Sequence, residues 1–130
     1  MMTLFNLADM ISSTLGTENV YAGNIDSNID KCIGVYNGRK SGTHRICLGG
    51  EEQTKTREKN ISILIHWTEN PSETEVNAFR ILDVLANIRN YEYDGGILRL
   101  MLLNDPISVG KDDRGICEYV IEGKIYYERK

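Results

Sequence analysis

Near the start of the chain, apolar residues recur with the period of a helix. Leu4, Leu7, Ala8, Ile11 and Leu15 share one helical face. Thr3 is placed to cap this helix, and Gly16 to end it in a left-handed turn. The pattern then shifts to short strand-like runs. Asn19–Ala22 and Cys32–Tyr36 read as strands, the second closed by the turn dipeptide Asn37-Gly38. Arg45–Leu48 is a third, shorter run. Residues Gly49 to Lys59 carry no large apolar side chain, which predicts an exposed connection.

The strongest strand pattern covers Asn60–Thr68. Ile61, Ile63, Ile65 and Trp67 point one way, while Ser62, Leu64 and His66 point the other. Apolar residues on both sides predict a central place in a sheet with one face on helices. Asn70-Pro71 closes the strand, and Ser72 with Glu75 reads as a capping box. Ala78, Ile81, Leu82, Leu85 and Ile88 form the buried stripe of the helix that follows, widened by Val76 and Phe79, with Arg89 in its last turn. Asp94-Gly95-Gly96 turns the chain into Ile97–Leu103, predicted as a buried strand. A brief Ile107–Val109 sits between turn signals.

The closing segment alternates for a long way. Cys117, Tyr119, Ile121, Gly123, Ile125 and Tyr127 face inward, and Glu118, Glu122, Lys124 and Glu128 face water. Such a strand exceeds the usual ~17–20 Å, which predicts a bend or bulge at Gly123. The order α-β-β-β-α-β-β has no repeat and no linker. It predicts a single α+β domain over residues 1–130, a mainly antiparallel sheet with two helices packed on one face.

Composition adds exclusions. The 130 residues carry 15 Lys and Arg against 19 Asp and Glu, for a net charge of −4. This acidic balance argues against a dedicated nucleic-acid binder, whose affinity comes from clustered cations. No apolar run approaches the ~20 residues of a membrane helix. The opening residues lack the basic region of a secretory signal, so the chain is expected to fold in the cytoplasm where it is made. Cys32, Cys47 and Cys117 are widely spaced with no C-x-x-C pair, which reads as small buried hydrophobes and implies no metal and no cofactor.

Two catalytic patterns deserve weighing. Glu122-Gly123-Lys124, after Asp112 and Asp113, has the E-x-K spacing by which some nucleases hold Mg²⁺ and orient water. Alternating charges on an exposed strand face give the same spacing for cross-strand pairing alone. His66 beside Trp67 resembles a thioesterase-type general base, against the plainer reading of a structural histidine. Neither pattern has partners at motif spacing, so no catalytic residue is assigned and a small nuclease-like or thioesterase-like enzyme stays the alternative. Tyr126, on the water side near the chain end, is a candidate interface residue.

The run Ile61–Trp67, then Thr68-Glu69-Asn70-Pro71-Ser72-Glu73-Thr74-Glu75 and the Ala78–Leu85 helix, resembles the minor capsid or tail terminator proteins of tailed phages. The upstream Ile33-Gly34-Val35-Tyr36-Asn37-Gly38, the N-terminal helix and the closing strands fit the same layout. The resemblance implies a virion structural protein without enzymatic activity. It would form a ring, commonly a hexamer, that caps the tail tube at the head–tail junction and meets the head connector. A head-completion protein of similar size is the neighbouring alternative. DNA would pass through the lumen without specific binding, helped by the acidic charge, and no membrane is involved. Glu51, Glu52, Lys55, Arg57 and Lys59 form the candidate loop for binding the tail tube.

Overall fold

A computed structural model describes residues 2–26, 28–38 and 56–129. The N-terminal periodicity becomes α1 (Leu4–Leu15). Thr3 and Asn6 cap it reciprocally, and Gly16 leaves it in the left-handed conformation at φ 70°. Leu7, Ala8 and Ile11 are buried as the spacing requires, and Met10 joins them. The chain continues as β1 (Val20–Ala22), β2 (Cys32–Asn37) and β3 (Thr56–His66). Then come α2 (Pro71–Ala86), β4 (Arg89–Tyr93), β5 (Gly96–Leu103), β6 (Ile107–Lys111) and β7 (Cys117–Arg129).

Among the described residues the strands form one sheet in the order β1-β2-β3-β7-β5-β4, with β6 also paired to β7. Only β1 against β2 is parallel. The α+β class and the mainly antiparallel sheet are therefore as expected, with β4 and β6 as further paired strands. Both helices pack on the same face. Their buried residues join Ile33, Ile63, Leu98 and Ile121 in one apolar cluster. Among the described residues, the other face of the sheet carries no helix.

Several expectations are corrected. The connection predicted up to Lys59 gives way at Thr56 to β3, where Arg57 pairs with Tyr127 and Lys59 with Ile125. The long alternating β7 needs a neighbour along its whole length. Backbone pairing supplies one even where side chains offer no hydrophobic signal. The expected strand Arg45–Leu48 and residues 49–55 lie outside the described residues.

The start of α2 is capped by Asn70, whose side chain accepts from the Glu73 N–H at 3.1 Å, rather than by Ser72. Pro71 explains the difference. Proline is favoured at the first helical position, which places the cap one residue before it. The helix ends at Ala86, so Arg89 opens β4 instead of closing α2. Val76 and Phe79 do not widen the buried stripe, for they are 69% and 40% exposed. Polar Thr74 and Asn77 take the buried positions beside Ala78, Ile81, Leu82 and Leu85.

The long strand β7 runs without a break, contrary to the bulge expected at Gly123. The irregularities sit in its partners, between Leu98 and Leu100 and between Ser108 and Gly110. Gly123 answers a different need. A Cβ there would stand 2.3 Å from the Leu102 carbonyl oxygen and 2.9 Å from the Leu103 Cα, so close strand approach demands glycine.

Candidate interaction surface

The helix-free face is built by the even-numbered residues of β3 and β7. Cross-strand register sets Cys32 opposite His66, His66 opposite Glu118, Leu64 opposite Val120 and Asn60 opposite Lys124. Two features stand on it, one polar and buried, the other shallow and open.

The buried one centres on His66, which is fully shielded from solvent. Its Nε2 lies 2.7 Å from Asp112 Oδ2, and its Nδ1 lies 3.6 Å from Cys32 Sγ. The His66 hydrogen bond holds the Asp112 carboxyl below the usual carboxylate range, aided by backbone donors from Ile116 and Arg114. An ionised carboxylate only accepts, so Nε2 carries the hydrogen and donates it. Burial, with Asp26, Glu118 and Asp30 adding to it, pushes the Cys32 thiol up to about 11. Its S–H is shared between the imidazole and the Ile29 carbonyl at 3.4 Å. Burial also raises the Glu118 carboxyl, with His66 pulling it down and Asp112 pushing it up.

Cysteine, histidine and aspartate in line have the connectivity of a nucleophilic relay. The electrostatics run the other way. A reactive thiolate needs a lowered pKa and access, and Cys32 has neither. What the arrangement does is mechanical: it ties the ends of β2 and β3 to the turn entering β7. Sequence spacing could not reveal it, since 34 and 46 residues separate His66 from its two partners. His66 is thus placed in a closed polar tie and not in a cleft.

The open feature is a hollow of about 420 Å³ on the same face, lined by Asn60, Leu102, Asn104, Glu122, Lys124 and Tyr126 among others. It brings together Tyr126 and the E-x-K pair. Asp112 is not part of that group. Lys111 beside it pairs with Cys117, five positions before Glu122 and roughly 17 Å away along the strand. Among the described residues no group of three or more His, Cys, Asp or Glu side chains could hold a metal ion. Tyr126 is half-buried between Glu58 and Leu100 on neighbouring strands. Arg57 and Lys59 stand on the opposite, helix-side face, in line with Tyr127 and Ile125. The structure therefore separates them from Tyr126, and Glu51, Glu52 and Lys55 lie outside the described residues.

Comparisons with known proteins bear on the chain as a whole. A family model described as bacteriophage tail terminator protein matches residues 1–129. Among solved structures, a chain from the "Virion of native gene transfer agent (GTA) particle" has a similar fold. The TM-score is 0.57 at 8% sequence identity, covering 98% of this chain and 92% of that one. No curated protein matches this chain in sequence.

Proposed function

The chain belongs to the bacteriophage tail terminator family and is a structural protein of the phage virion, and from that premise we propose that its copies close into a hexameric ring. The ring caps the tail tube, at the head–tail junction, and presents its other side to the head connector. The observation that carries this reading is the family match over residues 1–129. Repetition of one unlike-to-unlike contact closes such a ring when the rotation per subunit divides the circle.

The role is non-enzymatic in this reading. The raised pKa of the shielded Cys32 thiol supports it, because the Cys32–His66–Asp112 alignment among the described residues is unsuited to attack. The net charge of −4 supports passage of DNA through the lumen without adhesion. Glu51, Glu52 and Lys55, continued by Arg57 and Lys59 at the start of β3, form the contact to the tail tube. Tyr126, in its hollow, contacts a neighbouring virion protein. The chain is made in the bacterial host cytoplasm as a single α+β domain and acts in the particle.

Electron microscopy of tails assembled without this protein tests the reading. Tubes longer than normal and unjoined to heads are expected, and tubes of normal length carrying heads would overturn it. Replacing Glu51, Glu52 and Lys55 with serine tests the loop separately. Stable protein that no longer caps tubes is expected, whereas unimpaired capping removes the loop from the proposal.

A further inference from the structure

We propose that the end of the sheet beyond α2, on the helix-side face, docks a short carboxylate-rich segment of a partner protein. This rests on the assignment of Arg57 and Lys59 to the tube contact and gives that contact its chemistry. The proportions of the elements place the site. The 16 residues of α2 span about 24 Å, whereas the 13 of β7 extend about 43 Å. Trp67 and Thr68, just before α2, bond to Cys117 at the start of β7. After the helix the chain enters β4 level with Tyr126, because Arg89 opposes Leu100 and Leu100 opposes Tyr126. The rows through Tyr127 and Arg129 therefore lie past the helix. Register fixes what stands on them. Arg57 opposes Tyr127, and Arg129 shares the next row with Gly96 and Tyr93. Lys59, opposite Ile125, lies one row back on the same face. Arg129 is exposed, Arg57, Lys59 and Tyr93 are half-buried, and Tyr127 is buried.

Charge selects the occupant. The acids of these strand stretches, Glu58, Glu92 and Glu128, alternate to the other face, where Glu128 is tied to Arg99 at 2.6 Å. Asp94, exposed in the β4–β5 turn, is the acid nearest the three cations by position. Arg57 and Arg129 have other interactions as well. A guanidinium carries five N–H donors, so those contacts do not exhaust it. The Tyr93 hydroxyl is buried with no hydrogen-bond partner among the described residues, a state that costs stability. A carboxylate oxygen is the acceptor it lacks, reached when the half-buried ring turns outward. Strand spacing gives the patch about 14 Å by 13 Å, from Arg57 to Tyr93 and from Lys59 to Arg129. A short acidic segment fits within it, whereas a DNA duplex overruns it onto a chain of net charge −4.

The test titrates fluorescein-labelled hexaglutamate into the full chain at low salt, reading anisotropy, with amide NMR shifts to locate the site. Saturable binding is expected, with shifts centred on residues 57–59, 93 and 127–129 and affinity falling at least about tenfold in high salt. Arg57→Gln, Lys59→Gln and Arg129→Gln together should weaken it at least about tenfold. Lys59→Gln alone, which spares the fold more surely, should weaken it about two- to fivefold. Glu58→Gln with Glu92→Gln, on the opposite face, should not weaken it. A wild-type chain that fails to bind hexaglutamate, or that shifts elsewhere, overturns the proposal. So does full affinity in Lys59→Gln and the triple variant, or duplex DNA binding these residues more tightly than the peptide at equal salt. Peptide binding is read on the isolated chain and tube length on assembled tails. The docking chemistry therefore fails or stands separately from the tube-capping reading.

Discussion

The imidazole of His66 meets the carboxylate of Asp112 at 2.7 Å across 46 residues of chain, and the bond fastens the turn before β7 to the end of β3. Asp112 Oδ1 at the same time accepts from the Arg114 and Ile116 backbone N–H groups, each at 2.9 Å. One carboxylate thus organises the turn and satisfies a buried ring nitrogen. Removing it with Asp112→Ala leaves the shielded His66 N–H without a partner. A loss of about 1–3 kcal/mol in stability is expected, read from urea unfolding midpoints.

The same tie predicts an acid dependence. Because folding lowers the Asp112 pKa, its contribution is fully present above the unfolded value of roughly 4 and is lost as pH falls through the lower folded value. Stability should decline below about pH 4, and the decline should be shallower in Asp112→Asn. Equal slopes in wild type and variant would show that other carboxylates govern the acid limb.

The raised Cys32 pKa makes a prediction about reactivity. At neutral pH the thiol stays protonated and shielded, so Cys32 should resist maleimide until the protein unfolds. Peptide mapping by mass spectrometry after native and denatured labelling reads this directly. Rapid native labelling of Cys32 would contradict the closed tie.

Two glycines should respond differently to a methyl group. Gly123→Ala drives a Cβ against the Leu102 and Leu103 backbone, which cannot retreat without parting β5 from β7. A cost of about 1–3 kcal/mol is expected. In Gly34→Ala the nearest atoms belong to the Ile25 and Tyr36 side chains, which can turn aside. Its thermal midpoint should fall less than that of Gly123→Ala.

The cap of α2 can be assigned by mutation. Asn70→Ala should destabilise the protein by about 1 kcal/mol, since its side chain satisfies the Glu73 N–H. Ser72→Ala, at an exposed position inside the helix, should change stability by no more than about 0.5 kcal/mol. The reverse ranking would return the cap to Ser72.

By itself the sequence determined what depends on local pattern. The period of Leu4, Leu7, Ala8 and Ile11, the stop at Gly16, and the inward alternation from Cys117 to Tyr127 all specify an element and the face it buries. Those signals survive folding because burial of an apolar face dominates local energetics. The α+β class and the family resemblance follow from their order. Only the tertiary structure decided the rest. Residues 56–59 became strand because β7 offered a backbone to pair with, though nothing in their side chains said so. Val76 and Phe79 are exposed because α2 turns Thr74 and Asn77 to the core instead, a rotation settled by packing against the sheet. Cys32, His66 and Asp112 meet because three chain segments end at the same corner of the sheet. Contacts across such distances in sequence are set by topology, and no spacing rule records them.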